Sequence, residues 1–289
     1  MSIAYLNGQF LPLEEARISP MDRGFLFGDG IYEVIPSYGG KIVGGRLHCE
    51  RLTNGLDAIG ISLQSEQSEW LDIVQRLIDA NRLAFPSLNI GVYLHISRGT
   101  DTKRFHAFPD NISPTVFAFA FEIPPSNKAD KTSVQGLKVH TAQDLRWRRC
   151  HIKSTSLLGN VLHFQQGQDT GVNETILFNE DGYVTEASVC NVFAVKGNTI
   201  MTPALDHQLL PGITRHIVLE SLHTLSSYNV EERNISIDEL KSADEVWLTS
   251  SSKEIAPVTE IDGEAVGSGK VGSVWEAALA AYHSHKFNA

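Results

Sequence analysis

The chain has few cysteines, no long apolar run and no excess of positive charge. Its 289 residues include three cysteines, Cys49, Cys150 and Cys190, an odd number without the spacing of a metal site. We interpret them as reduced thiols, and no metal is expected. The first residues lack the basic and apolar regions of a signal peptide, and no apolar stretch is long enough to span a bilayer. A cytoplasmic location without membrane contact is therefore expected.

Charge and length narrow the class of protein further. The net charge is −10 at pH 7 without any block rich in lysine or arginine, which argues against nucleic acid and anionic membranes as partners. Hydrophobic residues make up 42% and charged residues 20%, as in folded globular proteins, so a disordered chain is excluded. A chain of this length exceeds the size that one hydrophobic core usually supports. Two domains are therefore predicted.

Two glycine-rich segments are similar to nucleotide-binding loops but fail at the defining positions. Gly267-Ser268-Gly269-Lys270 ends like a phosphate loop, yet Glu264 stands where the first glycine belongs and Val271 follows the lysine. Gly28-Asp29-Gly30 has Glu33 where the dinucleotide fingerprint needs its third glycine. Neither segment predicts a nucleotide site.

Local patterns predict a mixed α+β and α/β fold with two domains. Asn7-Gly8 between two apolar runs predicts an opening β-hairpin. A helix capped by Ser68 is expected to pack on a sheet through one apolar stripe, which consists of Trp70, Ile73, Val74, Leu77 and Ile78. The segment 124–131 is polar, contains two prolines and shows no periodic pattern, which indicates a linker between domains. The predicted division is an α+β domain over 1–123, a linker over 124–134 and a second domain over 135–289.

The second domain is predicted to be a larger, barrel-like β domain with helices packed around it. Its short strands do not alternate regularly with helices, which favours a mixed sheet over a doubly wound parallel one. Ser236 and Glu239 form a capping-box pattern that predicts the start of a short helix. A longer helix is expected from Ile213 to Leu225.

Several segments could bind an anion or carry chemistry. Proline and glycine precede the predicted helix at Ile213 and Thr214, whose amides would point outward at its positive end. Ser250 and Ser251 offer hydroxyls after an apolar strand. An ordinary loop-to-helix junction and a plain serine loop are the alternatives.

Two basic side chains, Arg51 and Lys153, are further candidate site residues. Arg51 lies near the start of a predicted helix and could reach the same anion, although a solvated surface charge is the alternative. Lys153 could bind an aldehyde cofactor as a Schiff base. Because most lysines are surface charges, Lys153 alone does not define a site.

Taken in order along the chain, these segments resemble the fold-type IV pyridoxal-phosphate enzymes. That group contains branched-chain aminotransferases, D-amino acid aminotransferases and aminodeoxychorismate lyase. The resemblance covers nearly the whole chain and includes Arg23-Gly24, 28–33, Arg51, Lys153, Glu186, 191–193, 210–215, Thr249-Ser250 and Glu254-Ile255.

The resemblance implies pyridoxal 5'-phosphate as the cofactor and gives each residue a role. Lys153 would be the Schiff-base lysine and the catalytic base, and Glu186 would be the partner of the pyridine nitrogen. The implied phosphate-binding residues are Arg51, Ile213, Thr214 and Ser251, with Ser250 alongside.

The segment after a predicted strand points to one branch of the group. Arg104 and His106 resemble the carboxylate trap of D-amino acid aminotransferases, in which the tyrosine that matches Tyr32 also binds the substrate carboxylate. In that family the arginine and the histidine come from the partner subunit, so the resemblance implies a homodimer. Branched-chain enzymes are expected to have an arginine-proline pattern here and lyases a glycine-rich one, and neither occurs.

The expected reaction is ping-pong transamination of D-alanine with 2-oxoglutarate to give pyruvate and D-glutamate. One departure from this branch is Val189-Cys190, where its members tend to have a serine run. A lyase, a branched-chain L-amino acid aminotransferase or an amine transaminase of the same fold are the alternatives. A non-catalytic cofactor-binding protein is the alternative from another class, and the side-chain preference stays open.

Overall fold

The computed structural model describes residues 2–63 and 65–288, which form two compact units. Unit 1 extends to Pro125 and also contains Ile152–Leu157, while unit 2 consists of Ser126–His151 and Leu158–Asn288. The division after Pro125 falls inside the segment predicted as a linker, 124–134. Positions 1 and 289, the outer limits of the predicted domains, lie outside the described residues.

Unit 1 is built on a six-stranded antiparallel sheet. Its strands are β1 (Ile3–Leu6), β2 (Gln9–Pro12), β3 (Gly30–Tyr38), β4 (Lys41–Ile42), β5 (Ile90–Ser97) and β6 (Thr115–Glu122), in the spatial order β2-β1-β6-β5-β3-β4. Its helices are α1 (Arg23–Phe27), α2 (Gly45–Ala58) and α3 (Gln67–Ala80), and a 3-10 turn covers Leu13–Glu15.

The predicted hairpin at the start of unit 1 is confirmed. Asn7 and Gly8 both have positive φ, 46° and 94°, which is the conformation that a tight two-residue β-turn requires.

The predicted cap of α3 is wrong by two residues. Glu66, not Ser68, precedes the helix, and its amide donates to Glu69 Oε2 at 3.3 Å. This reciprocal contact satisfies the first amides, so Ser68 lies inside the helix.

The two faces of the sheet have different partners. The predicted apolar stripe of α3 is buried in one cluster with the strand residues that alternate on one face, such as Ile31, Leu94 and Ile96. The other face carries a row of half-buried aromatic rings whose centroids lie 5.3 to 5.9 Å apart, formed by Tyr93, Phe117, Phe119 and Phe121. Helices α2 and α3 therefore pack on one face, whereas Gly24 of α1 lies close to His95 and Ser97 on the other.

Unit 2 contains a larger sheet and four helices. The strands are β7 (Leu137–Gln143), β8 (Glu174–Phe178), β9 (Val184–Ala187), β10 (Asn191–Lys196), β11 (Thr199–Thr202), β12 (Asn229–Glu232), β13 (Glu245–Ser250), β14 (Glu254–Ile261) and β15 (Glu264–Ala265). The helices are α4 (Leu158–Asp169), α5 (Ile213–Leu222), α6 (Ile237–Lys241) and α7 (Ser273–His285).

The sheet of unit 2 is mixed and curls back on itself. Its strand order is β12-β11-β10-β13-β14-β7-β8-β9, with β15 beside β14. The pairs β11–β12, β14–β7 and β7–β8 are parallel and the others are antiparallel. The edge strand β9 leads through a tight turn into β10, where the Ala187 amide donates to the Cys190 carbonyl at 2.7 Å. The predicted mixed, barrel-like sheet is confirmed.

The predicted starts of α5 and α6 are confirmed, but the predicted end of α5 is not. The Ser236 side chain accepts a hydrogen bond from the Glu239 amide at 3.1 Å, which confirms the predicted start of α6. Helix α5 begins at Ile213 as predicted but ends at Leu222 rather than Leu225. Among the described residues, no helix is both long and apolar enough to cross a membrane.

Leu77, in the last turn of α3, and Leu83, three residues after the helix, test the packing of unit 1. Leu77 is fully buried, whereas Leu83 is 97% exposed. Leu77→Ala is expected to lower the free energy of unfolding by about 2–5 kcal/mol, because it removes apolar contacts and leaves a cavity. The matched Leu83→Ala should change it by less than about 0.5 kcal/mol. Thermal unfolding of both variants checks this, and equal melting temperatures would contradict the described core.

Candidate active site

Lys153 lies beside the beginning of β3. The Tyr32 amide donates to the Lys153 carbonyl at 3.0 Å, and the Thr155 amide donates to the Gly30 carbonyl at 2.9 Å. These two backbone contacts fix the lysine next to Tyr32. Lys153 Nζ donates to the Tyr32 hydroxyl at 3.3 Å and lies 4.3 Å from the centre of its ring. The amine is half-buried.

Two glycines permit this close approach. A Cβ atom at Gly28 would lie 2.5 Å from Ser156 Oγ, and Gly28 has a φ of 66°. A Cβ atom at Gly30 would lie 2.7 Å from the Ile96 carbonyl oxygen. The Thr155 hydroxyl donates to the Gly28 carbonyl at 2.9 Å. A larger residue at Gly28 would push Ser156 away, and one at Gly30 would clash with β5 and crowd the Thr155 hydroxyl.

Neutral aromatic groups surround Tyr32. Its ring stacks on Tyr93 with centroids 5.5 Å apart, and the Tyr93 hydroxyl lies 3.0 Å from His95 Nδ1. Burial raises the pKa of Tyr93 to about 12, so its hydroxyl keeps its proton. Burial also lowers the pKa of His95, in spite of the nearby Asp22, which favours the neutral imidazole. The Tyr32 ring that Lys153 contacts is therefore packed against a protonated tyrosine, Tyr93.

Arg51 is held rigidly by a buried carboxylate. Its Nε and Nη2 atoms donate to the two oxygens of Glu33, each at 2.7 Å, and His48 Nδ1 lies 2.7 Å from Glu33 Oε2. Burial alone would raise the pKa of Glu33, but the charge and hydrogen bonds of Arg51 hold it far below its usual range. Burial lowers the pKa of His48 against the pull of Glu33. The predicted phosphate ligand Arg51 is thus a fixed positive charge.

Glu186 is a buried carboxylate in unit 2. It pairs with Arg146 Nη1, and its Oε2 atom accepts from the Leu210 amide at 3.1 Å and lies 3.4 Å from Asn191 Nδ2. Burial raises the pKa of Glu186, while the charge of Arg146 and the Leu210 amide oppose that shift. A carboxylate of raised basicity next to a cation suits a partner that must keep a proton on a ligand nitrogen.

Asn191 connects three of the predicted segments. Its side-chain amide donates to the Leu210 carbonyl at 2.9 Å, just before α5. A Cβ atom at Gly212 would lie 2.0 Å from Asn191 Oδ1, so only glycine fits there. Across the sheet Asn191 pairs with Thr249 at the end of β13. The start of α5 and the end of β13 therefore converge on Asn191, close to Glu186.

The donors in this region fit a phosphate group. Gly212 precedes α5 and has no side chain to cap the amides of Ile213 and Thr214. Thr249 Oγ1 is buried and has no hydrogen-bond partner among the described residues, which is costly unless a ligand supplies one. Ser250 and Ser251 follow at the strand end and are half-buried. Helix amides, hydroxyls and a buried carboxylate match the phosphate and ring nitrogen of pyridoxal 5'-phosphate.

Val189 and Cys190, which stand where D-amino acid aminotransferases tend to have serines, differ in their exposure to solvent. Val189 is exposed, whereas Cys190 is buried with its sulfur 3.8 Å from Glu174 Oε2. Burial raises the pKa of the Cys190 thiol to about 12, so it stays protonated. All three cysteines of the chain are free and buried.

Arg104 and His106 lie on an exposed loop after β5. The guanidinium carbon of Arg104 is 5.1 Å from the centre of the Phe27 ring, and the His106 ring is 5.2 Å from it. In the described part of the chain neither residue is hydrogen-bonded to Tyr32. The predicted carboxylate ligands therefore occur as two groups, Tyr32 beside Lys153 and the Arg104–His106 pair beside Phe27.

Sequence reasoning missed the residues that support Glu186. Arg146 binds Glu186 and also both oxygens of Asp144, at 3.0 and 2.7 Å. The charged partners Arg146 and Glu186 are 40 positions apart, so no local spacing reveals the pair. The described residues contain no group of three or more histidines, cysteines, aspartates and glutamates that could hold a metal ion.

Comparisons with known proteins give the family. A family model described as amino-transferase class IV matches residues 30–261. The chain is 36% identical over 275 residues to a D-alanine aminotransferase of Staphylococcus epidermidis, covering 95% of this chain and 94% of that protein. It is 38% identical over 266 residues to a D-alanine aminotransferase of Bacillus licheniformis, covering 92% and 90%.

A solved structure gives the fold. The branched-chain amino acid aminotransferase from Escherichia coli superposes with a TM-score of 0.84 at 23% identity, over 98% of this chain and 93% of that one. This likeness confirms the predicted fold-type IV architecture. Class IV aminotransferases use pyridoxal 5'-phosphate, in agreement with the predicted cofactor. By the extent of the family match and the identity to its relatives, the chain belongs to the class IV aminotransferases.

Proposed function

We propose that this protein is a pyridoxal-phosphate-dependent aminotransferase that transfers the amino group of D-alanine to 2-oxoglutarate. One observation carries the proposal, namely similarity to D-alanine aminotransferases over at least nine-tenths of both chains. The Arg104–His106 pair, on which the sequence-based assignment rested, supports it independently.

The residues of unit 2 would hold the phosphate and the ring nitrogen of the cofactor. The amides of Ile213 and Thr214, together with Ser250 and Ser251, are proposed phosphate donors, and the unpartnered Thr249 hydroxyl supports a ligand there. Glu186 would accept a hydrogen bond from the protonated ring nitrogen. Arg146 keeps Glu186 in place and favours its ionised form. Arg51, a positive charge fixed by Glu33, is a further proposed phosphate ligand.

Lys153 is proposed to carry the cofactor and to move the proton. When bound, pyridoxal 5'-phosphate supplies an aldehyde that accepts amino groups and a ring that takes up an electron pair. The Lys153 Nζ atom would take the proton from the α-carbon of the substrate and deliver it within the site. The Tyr32 hydroxyl, 3.3 Å from Nζ, accepts a hydrogen bond from the amine and so orients it. This contact supports the base role.

Arg104, His106 and Tyr32 are proposed to bind the substrate carboxylate. A guanidinium offers parallel N–H groups in the geometry of a carboxylate, and an imidazole and a phenol add further donors. Fixing the carboxylate and the amino group determines which face of the α-carbon meets the base. The position of these donors therefore decides between D- and L-amino acids.

The substrate choice is tested with the cofactor-loaded protein. D-alanine with 2-oxoglutarate is expected to give pyruvate and D-glutamate with a kcat/KM at least about 100-fold above that of L-alanine or L-leucine, a difference of roughly 3 kcal/mol in transition-state binding. Chiral chromatography of the glutamate product measures it. Conversion of L-leucine alone would indicate a branched-chain enzyme instead. Pyruvate formed from aminodeoxychorismate without an acceptor would indicate a lyase.

The adjacent basic residues Arg104 and Lys103 provide a test variant and its matched control for this assay. Arg104→Met should lower kcat/KM for D-alanine by about 10- to 150-fold, because the loss of a charged donor to a carboxylate costs about 1.5–3 kcal/mol. Lys103→Met removes a charge from the adjacent position. The Lys103 Nζ atom lies 5.3 Å from the centre of the Phe105 ring. This variant should stay within about twofold of wild type, since a solvated surface charge contributes little. Similar losses in both variants would contradict the role of Arg104.

We further propose a homodimer, supported by an exposed apolar patch on unit 2. Helix α4 exposes Leu158, Val161 and Leu162 at helical spacing, with exposures of 71%, 57% and 62%. Leu145, 77% exposed, lies next to α4, because its amide donates to His163 Nε2 at 3.1 Å. Contiguous apolar surface of this kind is typical of protein interfaces. A second copy of the chain is the proposed occupant.

Light scattering during gel filtration tests the dimer. Wild type should have about twice the chain mass of 31.8 kDa. Leu158→Glu combined with Leu162→Glu should shift it to the monomer mass, because burying two unpaired carboxylates is costly. Leu83→Glu, at an exposed site of unit 1, is the matched control and should leave the dimer intact. A monomeric wild type, or a dimer that survives the double variant, would exclude this interface.

A further inference from the structure

Asp29 binds two buried arginines at once. Its Oδ2 atom accepts from Arg23 Nε and from Arg98 Nε, each at 2.8 Å, and its Oδ1 atom accepts from Arg98 Nη2 at 3.0 Å. Burial would raise the pKa of Asp29, but the two guanidinium groups hold it below its usual range. Arg23, Asp29 and Arg98, here called the Asp29 cluster, are thus joined by buried ion pairs.

Arg23 uses its remaining donors on the loop that contains Arg104 and His106. Its Nη1 atom donates to the carbonyls of Phe105 at 2.6 Å and Ala107 at 3.3 Å, and its Nη2 atom donates to the carbonyl of His106 at 3.2 Å. One guanidinium therefore binds three consecutive carbonyls. The backbone on both sides of His106, and directly after Arg104, is fixed by this single side chain.

Arg98 fixes the far side of the same loop. Its guanidinium carbon lies 3.5 Å from the centre of the Phe108 ring, and it donates to the carbonyls of Ile59 at 2.7 Å and Gly60 at 3.0 Å at the end of α2. The loop is thereby joined to the helix that carries Arg51. An exposed loop without regular hydrogen bonds would otherwise be mobile.

Phe27 supports the side chains of the loop. It lies four residues after Arg23 on α1, and the guanidinium carbon of Arg23 is 4.9 Å from its ring centre. Arg104 and His106 contact the same ring at 5.1 and 5.2 Å. The Asp29 cluster therefore acts on the backbone of the loop, and Phe27 acts on its two functional side chains.

We infer that the Asp29 cluster and Phe27 are positioning elements that preset Arg104 and His106 for the substrate carboxylate. This inference rests on the proposed function, because it assumes that these two side chains bind the carboxylate. Ordering the donors before the substrate arrives removes an entropic cost from binding, so the cluster contributes mainly to substrate affinity. It does not touch the reacting atoms.

Arg23→Lys tests the inference, because lysine keeps the charge but cannot bind Asp29 and three carbonyls together. In the cofactor-loaded enzyme we expect KM for D-alanine and 2-oxoglutarate to rise about tenfold or more, with kcat within about threefold of wild type. Trypsin cleavage after the exposed Lys103 and Arg104, which requires local mobility of the loop, should become faster. Arg17→Lys is the matched control, since exposed Arg17 also donates to two carbonyls, of Glu14 at 2.6 Å and Ala16 at 2.9 Å.

Each remaining outcome decides the inference. Unchanged trypsin cleavage in Arg23→Lys would overturn the cluster as an ordering element, and faster cleavage with unchanged KM would overturn its link to substrate binding. A fall in kcat together with the melting temperature would show a merely structural role. If Arg23→Lys does not fold, Phe27→Leu leaves the cluster intact and should still raise KM severalfold, and an unchanged KM would overturn the inference.

The proposed function can fail separately. If wild type does not convert D-alanine, that function is wrong, while the rate of trypsin cleavage after Lys103 and Arg104 still shows whether Arg23 orders the loop.

Discussion

The arrangement around Lys153 depends on the pairing of its backbone with the beginning of β3. Side chains of lysine are long and flexible, so a hydrogen bond to Tyr32 alone would fix the amine poorly. The paired amides and carbonyls of Tyr32, Lys153, Gly30 and Thr155 position the main chain first. Only the side chain itself then remains to be ordered. Gly28 leaves room for this segment, because a Cβ atom there would clash with Ser156, and Gly30 leaves room for β5 and the Thr155 hydroxyl.

Buried carboxylates paired with arginines provide the second constraint. Glu33 holds Arg51, Asp29 holds Arg23 and Arg98, and Glu186 is held by Arg146. Such pairs add little net stability, because desolvation offsets the attraction between the charges. Their effect is to fix the direction of charged groups. The chain thus uses ion pairs to orient the residues that its proposed function needs.

The sequence was most informative where local chemistry decides the structure. Asn7-Gly8 requires positive φ, the α3 stripe requires an apolar partner, and Ser236 satisfies its own helix end, so these elements were predicted. The cap of α3 and the end of α5 were wrong by a few residues, whereas the features that were missed altogether depend on non-local contacts. Strand β14 contains Pro257, which obscures a strand pattern, and it is stabilised by pairing with β13 and β7. Arg146 and the Asp29 cluster have partners 40 and 69 positions away, which spacing cannot reveal.

The central claim, that Lys153 carries the cofactor, is tested most directly by covalent mapping. Borohydride reduction of the loaded protein, followed by proteolysis and mass spectrometry, should place one phosphopyridoxyl group on the peptide that contains Lys153. Lys153→Ala should lose this label, whereas Lys253→Ala, in the turn after Ser251, should keep it. A label on another lysine in the wild-type protein, or an unchanged label in Lys153→Ala, would contradict the account.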